Sequence, residues 1–159
     1  MINKKLEEIS ISDLEALIEN SVKESRTIEY KEILNLSSSD EKKKFLKQVS
    51  SFANASGGDI IFGIRTSKTD KRKPEVITGT TISSEDAKLL QINNIIRTGL
   101  QPRITEPKIQ FIPFQDELYF IVIRVKRSFL SPHRVSIEGY NKFYSRGAAG
   151  KFEMSVEQL

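Results

Sequence analysis

The 159-residue chain contains no cysteine and no tryptophan, and it has a single histidine, His133. Without cysteine it can form neither disulfides nor thiolate metal sites. One histidine excludes a histidine-cluster metal centre and makes a serine–histidine–aspartate catalytic set implausible. No apolar run approaches the about 20 residues of a membrane-spanning helix, and no signal-peptide pattern begins the chain. We therefore expect a cytoplasmic protein that does not bind membranes.

Charge is distributed unevenly along the chain. Residues 1–41 carry ten acidic and five basic side chains, whereas residues 42–159 carry eleven acidic and twenty basic ones. The net charge of the whole chain is only +4. This polarity favours either one face that binds a polyanion or a head-to-tail assembly, and a solvated charged surface is the simpler alternative.

The segment from residue 65 to residue 73 concentrates the positive charge. Its five basic side chains and one acidic side chain give it a net charge of +4, equal to that of the whole chain. It is predicted to be the polar tip of a hairpin between strand 59–64 and a return strand at Val76–Ile77. Such a tip can bind phosphates or a minor groove. The alternative is that the segment is a flexible loop that only increases solubility. The predicted nucleic-acid-binding residues of this tip are Arg65, Lys68, Lys71, Arg72 and Lys73.

A second basic cluster follows the most apolar predicted strand, Leu118–Val125. Four positive charges and no acidic residue fall between residues 124 and 134. Loops that follow buried strands often carry function. The predicted nucleic-acid-binding residues here are Arg124, Lys126 and Arg127, with Lys31 on an earlier strand.

Hydrophobic periodicity predicts an α+β fold. Ser12 and Glu15 form a candidate capping box for a helix within residues 1–20. Alternation predicts a half-buried strand over residues 27–33, with Ile28 and Tyr30 on one face. Further helices are expected before Gly57 and from Ser83 or Ser84, and further strands at 109–114, 118–125 and 140–144. This order predicts a sandwich in which helices pack on a mixed β-sheet.

We expect residues 21–159 to form the main domain, after the N-terminal helix. Pro113 interrupts the strand at 109–114, which therefore belongs at a sheet edge. Ser155 begins a helix that the chain barely enters, so the sequence predicts a truncated domain or a further domain after residue 159.

Glycines end the second helix and open a strand that is apolar on both faces. Gly57 and Gly58 follow Phe52-Ala53-Asn54-Ala55-Ser56, and the run Ile60–Phe62 comes next. Either Gly57 or Gly58 is expected at a positive φ, because glycine ends helices in the left-handed region without a Cβ penalty.

This corner and the upstream segment Glu24-Ser25-Arg26-Thr27-Ile28-Glu29-Tyr30-Lys31 together resemble the Schlafen Alba-2 domain. That domain typically opens with Glu-Ser and then Glu-Phe-Lys, and it continues through a helix into Phe-Ala-Asn-Thr-x-Gly-Gly and a strand ending in Gly-Val. The segment Phe143–Gly147 is similar to a later Tyr-x-Arg element of the family. The resemblance runs from about Val22 to Val156.

The resemblance implies a possible enzyme site at Glu24 and Glu29. In Schlafen-type ribonucleases the two glutamates of the opening motif are active-site residues, and a third carboxylate follows the Gly-Val strand. Such clustered carboxylates would hold Mg²⁺ or Mn²⁺ for phosphodiester cleavage. In this chain the third position falls at Thr66, which cannot supply the charge. The alternative for Glu29 is an ion pair with Lys31 on one strand face.

Arg146, the arginine of the later motif, has two interpretations that the sequence leaves open. It binds a phosphate with its guanidinium fork, or it locks a core carboxylate such as Glu29.

The leading hypothesis is a nucleic-acid-binding domain of a microbial transcriptional regulator, in which the basic hairpin recognises the phosphate backbone of DNA or RNA. The first alternative is a divalent-metal-dependent endoribonuclease that uses Glu24 and Glu29. The second is a dimerisation or protein-interaction module, with a homodimer as the expected assembly. No cofactor is certain, and Mg²⁺ or Mn²⁺ is expected only for the nuclease.

Overall fold

A computed structural model describes residues 1–105 and 107–159. Within these residues the chain forms three α-helices, eleven strands and two 3₁₀-helices, the latter at Leu6–Glu8 and Val156–Gln158. The α-helices are α1 (Ile11–Glu19), α2 (Ser39–Ala53) and α3 (Glu85–Gly99). The strands are β1 (Ile28–Lys31), β2 (Gly58–Phe62), β3 (Ile64–Thr66), β4 (Pro74–Ile77), β5 (Thr80–Thr81), β6 (Leu100–Gln101), β7 (Lys108–Gln115), β8 (Leu118–Val125), β9 (Arg134–Ile137), β10 (Tyr140–Gly147) and β11 (Gly150–Glu153). The predicted α+β class is confirmed.

A mixed sheet of five strands organises the fold. β1 and β2 run parallel, and β8 runs antiparallel to β2, β5 and β7. A second, antiparallel sheet has the order β11-β10-β9-β6, and β3 pairs with β4 in a separate hairpin. Among the described strands β7 pairs only with β8, so the strand that contains Pro113 lies at the sheet edge as predicted.

Side-chain alternation on the central strands creates a core on each face of the mixed sheet. Ile60 and Phe62 of β2 join a core with α2, α3 and the second sheet, whereas Ile61 joins an opposite core with Tyr30. The predicted strand with two covered faces is therefore confirmed. Because α2 packs against β9 and β10 as well as β8, it forms the middle layer of the sandwich.

The N-terminal segment belongs to the second of these cores. Leu14 of α1 is fully buried in it. The capping box lies at Ser10 and Asp13, and the prediction of Ser12 and Glu15 was wrong. The Ser10 amide donates to Asp13 Oδ2 at 2.8 Å. Because the helix begins at Ile11, Ser12 already lies in its first turn.

Several strand boundaries differ from the sequence prediction; β4, β7 and β10 are longer than predicted. β1 ends at Lys31 rather than at residue 33, and Ile33 is 59% exposed. Gly63, at φ +105, splits the predicted strand 59–64 into β2 and β3. The basic hairpin is therefore formed by β3 and β4. No helix in the described ranges is long and apolar enough to cross a bilayer.

Candidate nucleic-acid interface

The glycine corner at the end of α2 has the backbone that its sequence predicts. Gly57 has φ +75 and Gly58 φ +157. A Cβ on Gly57 would lie 2.7 Å from Val125 O and 2.9 Å from Arg127 N. Position 57 therefore requires glycine for two reasons. Its φ is positive, and the backbone of the chain that leaves β8 passes too close for a Cβ atom.

Asn54 clamps the end of α2 to the second sheet. Its Nδ2 donates to His133 O at 2.9 Å and to Tyr144 O at 2.8 Å. Its Oδ1 accepts from His133 N at 2.7 Å. The asparagine of the Phe-Ala-Asn motif thus satisfies three backbone groups on β10 and the segment before β9.

Arg146 locks the buried carboxylate of Glu29. Its NH2 lies 2.8 Å from Glu29 Oε2 and 3.0 Å from Ser25 O, and its NH1 donates to Gln48 Oε1 at 2.9 Å. The guanidinium stacks 4.1 Å above the Phe52 ring, and the residue is 2% exposed. Of its two predicted roles the structure shows this one. Assigning Arg146 to nucleic-acid binding was wrong, because the guanidinium has no surface for a phosphate.

Glu24 lies close to Glu29 but in a different environment. Its Oε1 accepts from Tyr30 N at 3.2 Å, and the side chain is half-buried. Burial, and then the charge of Glu29, raise the pKa of Glu24 to about 7. The structure therefore brings the two predicted glutamates together, with one carboxyl that titrates near neutral pH.

These glutamates do not form a fitting set of ligands for Mg²⁺ or Mn²⁺. Within residues 1–105 and 107–159 no group of three histidine, cysteine, aspartate or glutamate residues could hold a metal ion. Both oxygens of Glu29 are engaged, Oε2 with Arg146 and Oε1 with Gln48 and, at 3.5 Å, with Lys31. The predicted Glu29–Lys31 ion pair is thus present, and hard cations require more oxygen donors than remain.

Cations surround this pair on the side of β11. Lys151 lies directly opposite Arg146 in the β10–β11 register. Burial, and then the charge of Lys31, lower the pKa of Lys151 to about 8, although Glu29 opposes the shift. Lys47 contributes in the same direction, and its Nζ lies 5.1 Å from the Tyr140 ring centroid. Positive charge thus adds to burial in lowering the pKa of Lys151.

The tip of the β3–β4 hairpin folds beside these groups, which the sequence did not predict. Arg72 NH2 donates to Glu24 O at 2.7 Å and to Ala148 O at 3.1 Å, and Glu24 N donates to Arg72 O at 2.7 Å. The tip is closed by the Ser67 amide, which donates to Lys73 O at 2.8 Å. The five predicted cations of the tip are all exposed: Arg65, Lys68, Lys71, Arg72 and Lys73.

Arg124, predicted to bind nucleic acid, forms an ion pair in the structure. Its Nε lies 2.8 Å from Asp59 Oδ1, and Asp59 is fully buried. Its NH2 donates to Ile2 O at 2.8 Å, so the pair fastens the N-terminal segment to the sheet. The neighbouring side chains of Lys126 and Arg127 are exposed and remain candidates for phosphate contact.

The sequence missed the role of His133, which is fully buried. Its Nδ1 lies 2.6 Å from Pro102 O, and its Nε2 lies 2.6 Å from Ser128 Oγ. Because a carbonyl oxygen only accepts, Nδ1 donates to Pro102 O. This network holds the loop after β8. Pro102 is 31 residues away in the chain, so no local pattern could reveal the contact.

Comparison with known proteins bears on the same segments. The sequence profile described as Schlafen, AlbA_2 matches residues 24–155. This chain belongs to the Schlafen AlbA_2 family. The matched part of this AlbA_2 domain begins at Glu24 and includes the glycine corner, the basic hairpin and Arg146, whereas α1 lies before it.

One solved structure with a similar fold is an N-terminal domain from Nitrosomonas europaea, studied by solution NMR. It belongs to a protein named for its relation to the ATP-dependent DNA helicase RecG. The TM-score is 0.60 with 22% sequence identity, and the match covers 95% of this AlbA_2 domain and 94% of the other chain. Comparison with curated protein sequences gives no significant match.

Proposed function

We propose that this AlbA_2 domain binds nucleic acid through contacts to the phosphate backbone. The observation that carries the proposal is the β3–β4 hairpin, which has five exposed basic residues around a hydrogen-bonded turn. The only acidic residue of the tip, Asp70, is paired with Lys23 at 2.7 Å and does not offset the cations. A closed turn loses little conformational entropy on binding, which favours its use as a phosphate-binding element.

The positive surface continues from the tip onto the second sheet. Arg72 joins the tip to Ala148 in the β10–β11 turn, and Lys151 follows on β11. After burial, the positive charges of Lys31 and Lys47 lower the pKa of Lys151, as like charges do. A polyanion that runs across this band would meet several cations in succession, as backbone recognition requires.

The finer assignment is a domain of a microbial transcriptional regulator. Its support is the family membership, together with a structural neighbour whose name refers to a DNA helicase. A homodimer would bring the acidic N-terminal part of one copy towards the basic surface of another.

The test is the affinity for a fluorescent oligonucleotide duplex at low salt. We expect Lys71→Glu/Lys73→Glu to weaken binding at least tenfold, because two phosphate contacts become repulsive. Arg72 is left intact, since it ties the tip to Glu24 and Ala148.

The control is Lys88→Glu/Arg97→Glu on α3, which changes the net charge equally and should leave most of the affinity. Equal affinity of the tip variant and the wild type would show that the tip is only a solubilising loop.

A second candidate function is RNA cleavage, favoured by the carboxyl of Glu24 that titrates near neutral pH. The ligand set around Glu29 argues against a metal-dependent reaction, so we expect little or no cleavage of structured RNA with Mg²⁺ or Mn²⁺. Glu24→Gln is the suitable comparison, because the amide oxygen can still accept from Tyr30 N. Robust cleavage by the wild type that disappears in Glu24→Gln would make the enzyme the correct assignment. Equal activity in both proteins would indicate a contaminating ribonuclease.

A further inference from the structure

An aromatic side chain on the loop between β8 and β9 lies fully in solvent. Phe129 has a relative exposure of 101%, and the adjacent Leu130 is 66% exposed. Exposing a whole phenyl ring to water is unfavourable, and adjacent exposed apolar side chains such as these two can mark a binding surface. Two exposed cations, Lys126 and Arg127, precede it on the same loop.

The loop that presents Phe129 is held in place by hydrogen bonds. Ser128 N donates to Ala53 O at 2.9 Å, and Ser128 Oγ is held by the buried His133 at 2.6 Å. Leu130 N donates to Ser128 Oγ at 3.1 Å, so the backbone is held on both sides of the ring. The exposed ring therefore projects from a preorganised turn, which lowers the entropy that binding must overcome.

The ring borders a concave, cationic surface. A pocket of about 360 Å³ beside it is lined by apolar groups such as Val125 and by basic side chains. The basic side chains that line it are Arg103, Lys108, Arg124, Lys126 and Arg127. Within the described residues, Arg124 alone of these five forms an ion pair. The pocket thus combines phosphate-binding charge with an aromatic face.

We propose that Phe129 is a base-stacking platform and that this face binds single-stranded nucleic acid. The proposal rests on the proposed function and adds to it a site for unpaired strands. In a duplex the faces of the bases are covered by their neighbours, whereas an unpaired base can stack on a phenyl ring while cations hold its phosphates. A fully exposed aromatic flanked by Lys126 and Arg127 fits the unpaired strand.

The experiment compares a fluorescent oligouridine of about 15 nucleotides with a duplex of equal length. Phe129→Ala should lose roughly 5- to 150-fold in affinity for the single strand, the range found for one stacked base, and should keep its affinity for the duplex. Phe129→Tyr should retain single-strand binding, since tyrosine also stacks. Leu90→Ala on α3, where the leucine is 62% exposed, is the matched control for loss of exposed apolar surface, and it should behave like the wild type. Because Phe129 makes no core contact, these variants should fold.

The possible outcomes separate this inference from the proposed function. Unchanged single-strand affinity in Phe129→Ala, or an equal loss on both forms, would overturn the stacking role. A wild type that binds the duplex but not the single strand would overturn the stacking role and leave the proposed function standing. Failure of the wild type to bind either form would remove both. A dimer in sedimentation that dissociates in Phe129→Ala would assign the ring to a contact between two copies and would also overturn it.

Discussion

At the scale of single residues, the buried pair of Glu29 and Arg146 connects the two family motifs. Glu29 lies on β1 and Arg146 on β10, 117 residues apart. Removing Glu29 would leave the buried Arg146 without a counter-charge, and removing Arg146 would leave Glu29 with only the weaker Lys31 contact at 3.5 Å. The pair therefore fixes where the second sheet meets the first.

We expect Arg146→Met to lower the free energy of unfolding by about 3–5 kcal/mol, the cost of an unpaired buried charge. The double variant Glu29→Leu/Arg146→Met should recover part of the lost unfolding free energy, since neither position of the pair then carries a charge. Arg134→Met, on the partly exposed β9, should stay within about 0.5 kcal/mol of the wild type. Urea unfolding measures all three. A loss under about 1 kcal/mol in Arg146→Met would show that the pair is not structurally important.

At the scale of elements, the glycine corner sets the path of the loop that presents Phe129. Gly57 allows α2 to end against the backbone of Val125 and Arg127. The loop after β8 then starts from that contact and is held again by Asn54 and His133. A change in the corner would consequently disturb the candidate interface as well as the helix end.

We expect Gly57→Ala to destabilise the protein by about 2–4 kcal/mol, because the positive φ and the clash with the backbone add together. Gly139 provides the comparison, since its φ is +79 and nothing lies within 4 Å of an added Cβ. Gly139→Ala should cost only about 1–2 kcal/mol. Thermal unfolding of both variants separates the two causes. Equal losses would mean that the dihedral angle alone explains the corner.

Local patterns predicted the three helices and the longer strands, but not the short strands β5, β6, β9 and β11. The strand Leu118–Val125, the cap of α3 at Ser84 and the positive φ of Gly57 all follow from the neighbouring sequence. The break at Gly63 did not, because a glycine within an apolar run is compatible with a continuous strand. The exposed hairpin cations were found, since net charge is visible in the sequence.

At the scale of the whole molecule, the contact of Arg146 with Glu29 was one of two sequence-based interpretations, whereas two other contacts between distant segments were not predicted. Asp59 engages Arg124 across 65 residues, and Arg72 reaches Ala148 across 76. Both arginines counted as free cations in the sequence, and only the fold shows which of them holds the structure together. The fold also brings the basic hairpin beside Glu24, so two candidate sites become one surface.

The central claim is that this surface binds the phosphate backbone, and a salt series tests it most directly. The association constant of the wild type for a labelled oligonucleotide is measured from about 50 to 200 mM salt. Backbone binding predicts a slope of log K against log salt near −3 or steeper, as about four phosphate contacts would give. The slope of Lys71→Glu/Lys73→Glu should be shallower by about two units. No binding at low salt, or one slope shared by both proteins, would contradict the account.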